Sequence, residues 1–234
     1  MLEVAPGGFE ETESSGWVEL AAYTDCAGEE RIRTAFSDVS ALPVAAGWED
    51  RWKEFHHPVW AGGLWIGPPW LSPPADQLAV VVDPGLAFGT GAHATTRACI
   101  ELLSALERGS LLDAGCGSGV VAAAAALLGF APILAVDLDE VAVGVAAATV
   151  SMNQVDVEVA YADVLLDQLP ASDVVVANIE LAVVEQLLAR VHARIAVTSG
   201  YLASQRPTAP GWLASDRLEL DGWAADVFVR AALS

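Results

Sequence analysis

The chain has 234 residues, 54% of them hydrophobic, with 31 acidic side chains against 11 basic ones and a formal net charge of −20. Its length and apolar content exclude intrinsic disorder and suffice for one good core with a small accessory domain. The charge excludes phosphate-driven nucleic-acid binding, which needs clustered Lys and Arg; it suits a basic protein partner, or simply the solubility of an alanine-rich chain.

In chain order, residues 1–46 read as a small α+β unit. GGFEET and WVELAAYT are strand-like, Ile32, Ala35, Phe36 and Val39 recur at helical spacing, and LPVAA makes a further short strand. Residues 47–75 form a connector that holds five of the eight tryptophans up to Leu71. Pro58, Pro68 and Pro69 forbid a long helix there, so the segment is expected to pack its aromatics against a neighbour.

Residues 76–234 alternate regularly between strands and helices. LLDAG, ILAVD, VEVAYAD, DVVVAN and RIAVTSG are apolar runs of the kind buried in parallel sheets, with helical VVAAAAALLG, EVAVGVAAATVSM and LAVVEQLLARV between them. RLELDGWAADVFVR reads as two strands joined by a tight turn at Asp221-Gly222. The expected fold is α/β: a doubly wound, mostly parallel, Rossmann-like sheet with a C-terminal antiparallel hairpin. Gly115 to Val136 carries no charge and is long enough to span a bilayer, but Asp113 and Asp137 flank it and Gly129 and Pro132 break it. A loop, a short helix and a buried strand are expected there, and no membrane segment.

Cys26, Cys99 and Cys116 are an odd number without CxxC spacing, so neither a disulfide framework nor a zinc site is signalled and a reducing cytoplasm is the expected setting. His56, His57, His93 and His192 form no ligand pattern, and no metal is expected. The N-terminus has no secretory-signal pattern.

Two glycine-rich loops carry the functional signal. Asp83 to Thr96 reads DPGLAFGTGAHATT, with four of fourteen positions Gly or Pro, and Thr95 and Thr96 are good N-cap types before a helical pattern. Seventeen residues after Thr96 comes DAGCGSG, Asp113 to Gly119. Its Gly115, Gly117 and Gly119 follow a strand and open a helix, allowing a ligand close to the backbone. A dinucleotide fingerprint would need glycine at position 120, which is Val120, so a nicotinamide oxidoreductase is disfavoured. The spacing, with Asp113 before it, suits a ligand without pyrophosphate such as S-adenosylmethionine. Asp137 can accept from both ribose hydroxyls and Asp163 from the adenine amine, or either can be a plain helix-capping acid, and Asn178 can hold an amine through its carbonyl or act as a strand-end turn residue.

With these residues in place, the chain resembles the PrmA family, the ribosomal protein L11 methyltransferases. DPGLAFGTGAHATT is similar to that family's signature loop; DAGCGSG, AVDLD and VVANI follow in the expected order, and the segment from WEDRWKEFHHP to LWIGPPW resembles its interdomain stretch. The resemblance implies a class I methyltransferase fold, S-adenosylmethionine as donor and protein amines as acceptors. It carries cofactor contacts onto Thr96, Gly115, Asp137 and Asn178, and Phe88, Gly89 and Thr90 of the signature loop are expected to join Asp113, Gly117, Gly119 and Asp163 around the cofactor. The loop around Gly89 and Gly91 is expected to close over it.

Two departures stand out. The family opens with a complete ferredoxin-like domain, whereas MLEVAPGGFEET reads as mid-domain sequence, so a first strand and helix are expected to be missing through loss or a misassigned start. After Asn178 the family has an apolar run, whereas here Glu180 follows Ile179 and is expected to cap the next helix, with orientation of an amine as the alternative. The expected activity is methyl transfer to lysines or the N-terminal α-amine of ribosomal protein L11, by a monomer. Other protein or small-molecule amines, and a non-catalytic cofactor-binding protein, are the alternatives.

Overall fold

The computed structural model describes residues 10–14, 17–21, 26–36, 38–40, 56–84 and 91–232. The chain divides into two units, Met1–Trp52 and Lys53–Ser234. In the first, β1 (Glu10–Ser14) and β2 (Trp17–Ala21) pair antiparallel with Glu10 opposite Ala21, and α1 (Cys26–Ala35) follows. The strand expected at 42–46 and residues 47–55 of the connector lie outside the described residues.

The second unit opens on strands that a linker reading does not foresee. β3 (Val59–Ala61) and β4 (Leu64–Gly67) form a hairpin through Gly62-Gly63, and β5 (Ala79–Val81) pairs parallel with β4. The prolines bracket these strands and do not interrupt them, which is why Pro58 and Pro68 are tolerated. Trp65 is 3% exposed, but Trp60 remains 53% exposed, so only part of the aromatic content is packed away.

The main sheet has the order β11-β12-β10-β9-β6-β7-β8. Its parallel strands are β6 (Leu111–Ala114), β7 (Ile133–Asp137), β8 (Glu158–Tyr161), β9 (Ser172–Asn178) and β10 (Ala193–Leu202). Between them run α2 (Ala94–Ala105, before β6), α3 (Val120–Leu128), α4 (Glu140–Asn153) and α5 (Leu181–Arg190). The chain builds outward from β6 to β8, then returns to place β9 on the other side of β6. Alternate residues feed two cores: Leu111, Val174 and Val176 join α2 and α3, while Leu112, Val175 and Ala177 join α5. Covering both faces explains why these strands read as continuous apolar runs.

The uncharged stretch resolves into loop, nine-residue helix and strand, and Gly129 ends α3 in the left-handed conformation at φ 96°. Among the described residues no helix is long and apolar enough to cross a membrane. At the other end of the sheet, β11 (Trp212–Leu220) and β12 (Trp223–Arg230) turn through Asp221 and Gly222, at φ 51° and 82° as a type I′ turn requires. The last strand is inserted between β10 and β11, antiparallel to both. Composition decides this order, because β12 is mostly apolar and buried whereas β11 is mostly exposed and suits an edge.

Asp226 on β12 is 3% exposed and accepts from Tyr201 Oη at 2.8 Å and Arg217 Nη1 at 2.9 Å. Arg217 Nη2 also donates to the carbonyls of Ala203 and Gln205, tying down the chain after β10. Asp226→Ala leaves the buried Tyr201 hydroxyl without this acceptor and Arg217 with Glu219 as its remaining counter-ion, and is expected to cost about 1–3 kcal/mol in urea unfolding.

Candidate active site

In a doubly wound sheet the crevice lies at the carboxyl ends of the strands where the winding reverses, here between β6 and β9. Gly115, Gly117 and Gly119 take φ of 80°, 52° and 76° in the loop that leaves β6. The amides of Gly115 and Cys116 donate to Val136 O at 2.9 and 3.0 Å, so the loop is pinned to β7. A Cβ on Gly115 would sit 2.4 Å from Ile179 Cγ2, so only glycine lets the turn after β9 close against it.

Asp137 ends β7 and holds two loops. Its Oδ2 accepts from Gly117 N at 2.9 Å and its Oδ1 from Asp139 N at 3.0 Å, while Asp139 caps α4 through Val141 N. Each Asp137 oxygen therefore retains accepting capacity for a neighbouring pair of hydroxyls.

Asp113 lies beneath the glycine loop at 2% exposure. Gly119, the N-cap of α3, has no side chain to cap with, and Asp113 accepts from Ala122 N in the first turn instead. Its Oδ2 has no hydrogen-bond partner. Burial pushes this carboxyl up to about 7, opposed by the Ala122 amide and reinforced by the nearby Asp137 charge. Cys99 and Cys116 are also buried, and burial with the charge of Asp113 raises both thiols, so neither offers a thiolate.

On the other side of the crevice, Asn178 Nδ2 donates to Thr96 Oγ1 at 3.3 Å, joining the end of β9 to the helix that follows the signature loop. Thr95 and Thr96 are not caps. The helix starts at Ala94 and its N-cap is His93, whose Nδ1 lies 3.4 Å from Thr95 N and 2.8 Å from Thr95 Oγ1. An imidazole nitrogen can accept as a short polar oxygen would, and this turns Thr96 inward. His93 also packs edge-on to Trp223 at 4.9 Å, and Arg97 pairs with Asp221 at 2.5 Å, so the hairpin tip flanks this helix. No sequence signal foretells these contacts, which join positions more than a hundred residues apart.

The structure thus brings together Gly115, Gly117, Gly119 and Asp137, and separately Thr96 and Asn178, with Asp113 below the glycine loop. Asp163 is engaged locally: its Oδ1 accepts from Leu165 N while its own N–H donates to Asp167 Oδ2, both at 2.8 Å. Glu180 stands at the N-cap of α5, but its side chain caps nothing; only its carbonyl accepts, from Val183 and Val184. The extra methylene of Glu makes it a poorer N-cap than Asp, and the expected side-chain cap is corrected accordingly. Phe88, Gly89 and Thr90 lie outside the described residues.

The crevice carries groups that could hold a small nucleoside ligand without pyrophosphate. It has a carboxylate with spare accepting capacity at the rim, an unpartnered buried oxygen, a loop that only glycine can close, and Val120 where a dinucleotide site needs a third glycine.

The profile described as Ribosomal protein L11 methyltransferase (PrmA) matches residues 16–211. The ribosomal protein L11 methyltransferase of Symbiobacterium thermophilum is 33% identical over 225 residues, covering 87% of this chain and 72% of that protein. That of Thermoanaerobacter pseudethanolicus is 35% identical over 165 residues, covering 68% of this chain and 54% of the relative. The chain therefore spans between about half and three quarters of the length of these two curated relatives. The crystal structure of the ribosomal protein L11 methylase from Lactobacillus delbrueckii subsp. bulgaricus superposes with a TM-score of 0.68 at 25% identity, over 75% of this chain and all of that one.

The buried carboxyl of Asp113 makes stability depend on pH with a definite sign. Below about pH 4 both folded and unfolded chains hold its proton, and between about 4 and 7 only the folded chain does, so stability falls as pH rises. Asp113→Asn cannot ionise. Its urea-unfolding free energy is expected to decline less than the parent's over that window, by up to about 1.4 kcal/mol per pH unit; equal slopes would contradict the raised pKa.

Proposed function

Because this chain belongs to the ribosomal protein L11 methyltransferase family, we propose that it transfers methyl groups from S-adenosylmethionine to amines of ribosomal protein L11, on lysine side chains or the N-terminal α-amine. The observation that carries the reading is the bond between Asn178 and Thr96, which links the end of β9 to the helix after the signature segment across 82 positions. The net charge of −20 supports a basic protein as acceptor.

In this reading Asp137 accepts from the ribose hydroxyls, with its carboxylate already oriented by two backbone amides. Asp113 offers its unpartnered Oδ2 to a donor on the amino-acid end of the cofactor, and a cationic donor there would favour the carboxylate. Gly115, Gly117 and Gly119 admit the cofactor close to the backbone. Thr96 faces it from the helix that follows the signature segment. Asp163 keeps one oxygen for the adenine amine after its turn is satisfied. Bound there, S-adenosylmethionine supplies an electrophilic methyl group on a sulfonium.

Asn178 is assigned to the acceptor amine. Its amide is held through nitrogen by Thr96, which leaves its carbonyl as the acceptor that orients an amine N–H. A lysine with pKa near ~10.4 must lose its proton before it attacks, at a cost of roughly 4–5 kcal/mol at pH 7; an α-amine near ~8 costs only about 1 kcal/mol. Desolvation in the crevice lowers either value, so no dedicated base is required of the chain.

Radiolabelled methyl transfer to purified ribosomal protein L11 tests the reading directly; incorporation is expected, and none with a cofactor-binding enzyme would refute it. Asp137→Ala is expected to weaken S-adenosylmethionine binding at least about tenfold in calorimetry, the loss of roughly one good bidentate contact. Asn178→Ala should retain most cofactor affinity and lose methyl transfer, and full activity would sink its assignment to the amine.

A further inference from the structure

The glycine loop after β6 and the chain that leads into the signature segment at Val82 to Pro84 lie far apart in sequence. One helix reaches both. Helix α4 begins at Glu140, just after Asp139, whose amide donates to the Asp137 carboxylate that also holds the glycine loop. Midway along it, Ala146 packs under Gly119 so closely that a Cβ on Gly119 would lie 2.9 Å from Ala146 Cα. Its last residue is Asn153, about 20 Å from its start at 1.5 Å per residue.

Asn153 faces β5, the edge strand of the small sheet, whose other side pairs with β4. Val81 N donates to Asn153 Oδ1 at 2.7 Å, and Asn153 Nδ2 donates back to Val81 O at 2.7 Å. The side-chain amide therefore pairs with a main-chain peptide group as a neighbouring strand would. A third bond, from Nδ2 to Thr149 O at 2.8 Å, uses the remaining N–H and fixes the amide on its own helix. The next residue, Val82, donates to Gly67 O at 3.0 Å, so the chain is gripped from both sides immediately before Asp83-Pro84 opens the signature loop.

We propose that Asn153 is a positioning residue, which sets the entrance of the signature loop in register with Asp137 through helix α4 and thereby controls cofactor affinity. The inference rests on the reading of Asp137 and Thr96 as contacts of one S-adenosylmethionine site. Its chemistry is specific: an acceptor and a donor are both needed, in that order, against one peptide group. Asn153→Ala removes both. Asn153→Asp keeps the shape and the acceptor but sets a carboxylate oxygen against Val81 O, and should be no better than Ala.

The test uses the full chain, with Leu187→Ala on α5 as a control that destabilises the opposite core. Dissociation constants for S-adenosylhomocysteine, KM for S-adenosylmethionine and kcat for methyl transfer to ribosomal protein L11 are measured with amide hydrogen exchange of segment 82–92. Both Asn153 variants are expected to raise Kd and KM five- to twentyfold with kcat within twofold of the parent. Exchange should quicken in 82–92 but not in 133–139. Unchanged Kd with unchanged exchange overturns the proposal, and so does a Kd rise matched by Leu187→Ala, which would track stability alone. If the parent itself fails to bind S-adenosylhomocysteine, the methyltransferase reading fails; exchange in 82–92 then decides the anchor by itself, faster exchange supporting it and unchanged exchange refuting it.

Discussion

The carboxylate of Asp137 is the contact on which the geometry of the crevice depends. By accepting one amide on each oxygen, from Gly117 and Asp139, it fixes the glycine loop on one side and the start of α4 on the other. The loop cannot hold this shape through its own side chains, because three of its five residues from Gly115 are glycine. An ionised acceptor with two backbone partners supplies the missing restraint, and charge-assisted bonds of this kind are stronger than neutral ones.

From there the restraint propagates through packing. Helix α4 leaves Asp139 at a set angle, meets Gly119 through Ala146, and delivers Asn153 to the edge of β5. On the far side of the crevice, the bond between Asn178 and Thr96 and the contacts of Asp221 and Trp223 with Arg97 and His93 hold the helix after the signature loop. Both described flanks of the signature segment, Val82 to Pro84 and the helix from Ala94, are thus anchored to rigid elements.

The buried acid Asp113 shows how the alanine-rich helix α3 is made compatible with that loop. Small side chains let α3 lie close to the sheet, and Gly119 lets it start directly from the loop, but neither supplies a cap. Asp113 does so from the preceding strand, at the cost of a carboxyl whose burial raises its pKa. The same residue consequently joins the stability of the helix to the polarity of the crevice.

The sequence by itself determined the alternation of strands and helices, the Asp221-Gly222 hairpin, and the loop residues Gly115, Gly117, Gly119 and Asp137, because each follows from local patterns: apolar runs, turn chemistry and glycine spacing. Tertiary structure alone decided the rest. The linker reading missed the β3–β4 hairpin because its prolines lie beside the strands, and Thr95 and Thr96 looked like caps because nothing local reveals that His93 accepts first. Asn153 lies just past the helical run EVAVGVAAATVSM, and nothing local marks it. Its partner Val81 stands 72 positions away, and only folding brings an amide and an exposed peptide edge together.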